Sequence, residues 1–85
     1  MSAQYEAIRV KFTQDIESIN AEMIERNKEA MGVSTVKEWI DSYEGGRFTQ
    51  IGDADAIVTA PNENMFFIKA WFEYLNIADT IEDLN

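Results

Sequence analysis

The chain has no cysteine and no histidine, and its 85 residues include only one proline, four glycines and seven lysines and arginines. Each shortage removes a class of chemistry. Without cysteine no disulfide can staple the fold, and thiol nucleophiles and thiolate metal sites are excluded; a reducing compartment fits this usage. Without histidine there is no ordinary general base near neutral pH, no usual zinc ligand, and no Ser-His-Asp or Cys-His arrangement. Ser2, Ser18, Ser34 and Ser42 have no nucleophile context, and Gly45-Gly46 lacks the spacing and the lysine of a phosphate loop. Catalysis would have to rest on carboxylates alone, so the chain reads as non-enzymatic and as holding no cofactor. Met1–Glu6 lacks the basic and apolar regions of a secretory signal. No apolar run is long enough to span a bilayer, and the expected location is the cytoplasm.

What is present is apolar mass and negative charge. At 46% hydrophobic residues, the composition is that of one small ordered domain over residues 1–85. Sixteen acids against seven bases give a net charge of −9. After Gly46 the only bases are Arg47 and Lys69. Such a field repels nucleic acid and anionic membrane and attracts basic surfaces. Solubility alone also accounts for it.

The spacing predicts an α+β, helix-rich fold. Tyr5, Ile8, Phe12, Ile16, Ile19 and Met23 recur at three- and four-residue steps, the stripe of one long N-terminal helix with Ser2 as its cap and Gly32 past its end. A second reading takes residues 7–13 as an alternating strand, after which Thr13 caps a helix to Met31. Val36, Trp39, Ile40 and Tyr43 mark a short second helix, opened by Ser34 or Thr35 and stopped by Gly45-Gly46. Arg47 to Ile51 and Ala56 to Ala60, parted by Gly52-Asp53-Ala54-Asp55, suggest a small hairpin. An asparagine after Pro61 then caps an aromatic-rich C-terminal helix, whose stripe runs on through Ile77, Ile81 and Leu84. In the alternative, residues 65–75 form a strand beside residues 7–13 in one antiparallel sheet.

Met65 to Leu75 carries half of the ten aromatics, and as a helix it is apolar almost all round. Trp39, Tyr43, Trp71, Phe72 and Tyr74 are core candidates by spacing. Trp71 and Tyr74 are equally of the types that anchor protein contacts, and a stripe this wide favours a homo-oligomer.

The acids form three groups. Glu22, Glu25 and Glu29 would stand about 5–6 Å apart on one helix face, a ladder able to replace phosphates. Glu22 with Arg26 and Glu25 with Lys28 are, on the same spacing, ordinary stabilising pairs. Asp53, Asp55 and Glu63 have no base nearby in sequence, and neither do Asp79, Glu82 and Asp83. Asp53-Ala54-Asp55 opens like a calcium loop, but Ile57 takes the third ligand position, no glycine stands at the sixth, and Asn64 replaces the closing glutamate. No metal is expected.

The expected function is a non-catalytic acidic interaction protein. Its sharper form is an inhibitor, of the phage or mobile-element counter-defence type, that occupies a basic, nucleic-acid-binding surface of another protein in the (host) cytoplasm. Glu22, Glu25, Glu29, Asp53, Asp55, Glu63, Trp71, Tyr74, Asp79, Glu82 and Asp83 are the candidate contacts. The alternative is a homo-oligomeric structural or adaptor subunit.

Overall fold

The computed structural model describes residues 4–27 and 35–84. In chain order they form β1 (Tyr5–Phe12), α1 (Ile16–Asn27), α2 (Val36–Asp41), β2 (Arg47–Gln50), β3 (Asp55–Pro61), α3 (Asn62–Leu75) and β4 (Ala78–Asp83). The four strands make one antiparallel sheet in the order β2-β3-β1-β4. A strand, a helical segment, a hairpin, a helix and a last strand in this spatial order follow the split-βαβ, ferredoxin-like plan, with α1 and α2 sharing the first crossover.

A long N-terminal helix is thereby overturned, and with it the helix-rich fold. Ile8, Val10 and Phe12 are buried and alternate with Ala7, Arg9 and Lys11. The helical stripe had touched only Tyr5, Ile8 and Phe12 in this stretch and left Val10 on the wrong side. Pairing with β3 on one side and β4 on the other satisfies both edges of β1, which a lone helix propensity cannot match. The following helix is capped by Asp15, not Thr13: the Ser18 amide donates to Asp15 Oδ2 at 3.0 Å.

The second correction is at the C-terminal end. Asn76 turns left-handed (φ 55°), and its N–H donates to the Phe72 and Glu73 carbonyls, closing α3. The stripe does not continue as helix; β4 follows and pairs with β1, Ile81 opposite Val10. Ile77 lies just before β4, and Ala78 and Ile81, three apart as on a helix, face the same side as Phe12 and Val10 because of a bulge between them. The pairing shifts between Lys11 and Phe12, leaving Asp79 as an extra residue on β4. Residues 65–75 are helix, so the strand alternative for them is excluded as well. No asparagine caps the start of α3, where Pro61 takes the cap position without a side-chain bond.

Thr35 caps α2, accepting from the Glu38 amide at 3.0 Å. Beyond it the chain reverses at Gly45 (φ 78°) and Gly46, where a Cβ would collide with the Ile40 carbonyl oxygen. Asp41 ties this turn to β2 by accepting from the Phe48 amide at 3.1 Å.

One core unites these elements. Ile8, Val10, Phe12, Phe48, Ala56, Val58 and Ala60 from the sheet meet Ile16 and Ile19 of α1, Val36, Trp39 and Ile40 of α2, and Met65, Ile68 and Phe72 of α3. Phe72 stands edge-on to both Phe12 (5.9 Å) and Trp39 (5.4 Å). Because strand residues alternate, the helices cover one face of the sheet, and Arg9, Lys11, Arg47, Thr49, Ile57 and Thr59 lie on the other. Among the described residues no helix is long and apolar enough to cross a membrane. The expected Ser2 and Ser34 caps, the stops at Met31 and Gly32, Glu29, and the pairs with Arg26 and Lys28 lie outside the described residues and side chains.

Candidate protein-interaction surface

α3 buries Met65, Ile68 and Phe72 against the sheet and leaves an aromatic outer face. A helix on a sheet can bury an arc of roughly a third of its circumference. Four aromatics fall outside that arc: Phe66 is 70% exposed, Phe67 55%, Trp71 36% and Tyr74 79%. The rings pack on one another in two edge-on pairs, Phe66 with Phe67 at 5.6 Å and Trp71 with Tyr74 at 5.5 Å. Phe67, Ala70, Trp71 and Tyr74 line a shallow hollow of about 280 Å³. The charged residues on the outward side of the helix are Glu63, in its first turn, and Glu73. Lys69 points away from this side, towards the sheet edge, where it bonds Asp83 at 2.9 Å and pairs with Glu6 at 3.6 Å. The Asp83 bond chiefly, with the Coulombic pull of both carboxylates, holds the Lys69 ammonium above the ordinary lysine value, against the effect of partial burial. Two further bonds fix the helix: the Asn64 amide donates to the Glu44 carbonyl at 2.9 Å, and the Asn62 N–H donates to the Gln4 carbonyl at 2.9 Å.

The remaining expected contacts are divided over the molecule. Glu22 and Glu25 are exposed on α1. Asp53 lies in the β2–β3 turn, its carbonyl accepting from the Ile16 amide at 2.7 Å, and shares a hollow of about 220 Å³ with Asp15, Glu17 and Gln50. Two hydrogen bonds from Ser18, side chain and backbone, hold Asp15 below the ordinary carboxylate range. Asp79 is at the same end of the sheet as Asp53 and Asp55, but across β1 from them. Glu82 stands opposite Arg9 on the uncovered face, and Asp83 is at the other end, beside Lys69.

The two clusters without bases in sequence therefore acquire bases in space. Arg9 reaches Asp55 at 3.3 Å, across 46 residues of chain, and Lys69 reaches Asp83. The single Arg9 bond leaves Arg9 Nε and Asp55 Oδ1 buried without a hydrogen-bond partner. Trp71 and Tyr74 do come together, with Glu63 on the same side of α3. Phe66 and Phe67 complete this surface and were not among the expected contacts. Their signal was available: an all-round apolar helix in a chain this short exceeds what one sheet can cover.

No group of three or more acids, histidines or cysteines that could hold a metal occurs among the described residues. A hollow of about 550 Å³ beside the α2–β2 turn contains Tyr5, Tyr43, Asp41 and Arg47. The Asp41 carboxylate there is already committed. The Lys37 ammonium at 2.6 Å, and then the Phe48 amide, hold it below the ordinary carboxylate range.

Fold and surface together define a small α+β domain of the split-βαβ plan with an exposed aromatic helix. The chain belongs to the family described as a domain of unknown function, DUF6956, whose model matches residues 1–83. No curated protein and no solved structure matches it.

Proposed function

We propose that this domain is a non-catalytic interaction protein that binds a basic surface of another protein through the outward face of α3. The observation that carries this reading is the row of four exposed aromatics whose charged neighbours on that face, Glu63 and Glu73, are both acidic. Exposed apolar patches of this kind mark contact surfaces, and Trp and Tyr supply much of the energy in such contacts. The net charge of −9 steers the approach of a basic partner and repels nucleic acid itself. A nucleic-acid-binding protein offers the matching surface. The domain then acts as an inhibitor of the phage or mobile-element type in the cytoplasm, with its aromatics as anchor and its acids in place of phosphates.

Displacement of a fluorescent oligonucleotide from a panel of basic nucleic-acid-binding proteins tests this. Displacement by the wild type should weaken steeply as salt rises. Trp71→Ala should weaken it about 30-fold, the equivalent of about 2 kcal/mol for an anchor residue. No displacement, or displacement indifferent to Trp71→Ala, rejects the reading.

A further inference from the structure

The sheet face left bare by the helices has the opposite character to α3. Its paired strand residues include Arg9, Lys11 and Arg47, three of the chain's seven bases, and the acids Asp55 and Glu82, with Asp41 beside Arg47 at its border. One of those acids is tied to Arg9. Lys11 and Arg47 are exposed and form no salt bridge among the described residues, although Arg47 lies near enough to Asp41 to lower its pKa. Between them the face is half-buried, formed by Ala7, Ile57 and Thr59 with the Arg9–Asp55 pair beside Ile57.

The dimensions of the two surfaces agree. Glu63 and Glu73 are ten residues apart on α3, about 15 Å along the axis. Arg47 shares a row with Thr59 and Ala7, two strand spacings or about 10 Å across from β1. Lys11 lies four residues further along β1, about 13 Å, so the diagonal from Lys11 to Arg47 is about 16 Å. A helix laid obliquely over the sheet would bring both glutamates over both bases. Its aromatics would then lie over Ile57 and the Arg9 guanidinium, a stacking partner for an aromatic ring.

We infer that α3 of one copy docks on the uncovered sheet face of a second copy, so that the chain assembles head to tail. This rests on α3 being the binding surface and gives that surface a further occupant, the base-bearing sheet face of a second copy. The two surfaces are different and both remain available on every chain, so the contact repeats and gives a ring or a filament, not a closed two-fold dimer.

Sedimentation across a concentration series tests the inference with two double variants, Glu63→Lys/Glu73→Lys to block the helix and Lys11→Glu/Arg47→Glu to block the sheet. All four side chains are exposed, and thermal melts confirm that each variant is folded; Lys11→Gln/Arg47→Gln replaces the sheet variant if it melts early. The wild type should form species larger than a dimer. Each double variant alone should stay monomeric, its half-assembly concentration raised at least about tenfold. Glu63→Lys/Glu73→Lys mixed with the neutral Lys11→Gln/Arg47→Gln should give a one-to-one dimer and nothing larger, since one intact surface remains on each; mixed with Lys11→Glu/Arg47→Glu, whose reversed charges complement its own, it should recover larger species. A wild type that stays monomeric at every concentration overturns the inference, as does a sheet-blocked variant that still dimerises alone. The α3 reading is judged separately. If the wild type is monomeric but Trp71→Ala still abolishes oligonucleotide displacement, the second copy is rejected and the α3 surface stands; if Trp71→Ala changes neither assembly nor displacement, the α3 surface falls too.

Discussion

Phe72 and Tyr74 are two positions apart on one helix and have opposite energetic roles. Phe72 is fully buried between Phe12 and Trp39, whereas Tyr74 is 79% exposed. Truncating a buried phenylalanine removes its transfer energy and leaves a cavity, so Phe72→Ala should cost about 3–5 kcal/mol in urea unfolding. Tyr74→Ala should cost about 0.5 kcal/mol or less at low protein concentration, because its ring touches little beyond Trp71. If Tyr74→Ala proves as costly as Phe72→Ala, the outer face of α3 is covered even in dilute solution. The sequence made both residues core candidates, because spacing alone counts apolar positions. It does not show how many of them the opposing surface can cover.

At the scale of elements, Asn76 decides where α3 stops and whether β4 can form. Its left-handed backbone is one that asparagine and glycine accept and that a Cβ without a hydrogen-bonding side chain strains. Asn76→Ala should therefore lower stability by about 1 kcal/mol and Asn76→Gly should change it little, both read from thermal melts. The α2 helix, the hairpin and the helical state of residues 65–75 were legible because turn residues and spacing agreed there. The ends of the chain were not. In β1, the steps Tyr5, Ile8 and Phe12 satisfy a helical period while Ile8, Val10 and Phe12 satisfy a strand, and pairing with β3 and β4 settles the choice. In β4, the bulge at Asp79 breaks strict alternation, so the sequence carries no clean strand period there. Of the candidate surface, Trp71 and Tyr74 stood out in sequence by residue type, but their exposure did not. The partition of bases was not: Arg9, Lys11 and Arg47 come onto one face only through strand register.

For the molecule as a whole, the charge imbalance sets the response to salt. With sixteen acids and seven bases, self-repulsion opposes the compact state, and salt screens it. The ion pairs at Lys69, Arg9 and Lys37 are all at least partly exposed, and pairs of that kind contribute only about 0–1 kcal/mol each. Repulsion should dominate, and the melting temperature should rise between low and physiological ionic strength, as calorimetry at neutral pH can show. A falling melting temperature would mean that the local pairs outweigh the net charge.

The place of β1 between β3 and β4 also bears on how the chain reaches this state. Its pairs with β4 join residues roughly seventy positions apart, the longest separation in the sheet. Until residues 78–83 have left the ribosome, β1 has one bare edge that can accept a strand from any neighbouring chain. The three carboxylates of β4, Asp79, Glu82 and Asp83, then give the finished sheet an outer border that repels further strands. The strand that covers the bare edge of β1 is thus also the one that ends its exposure to misassembly.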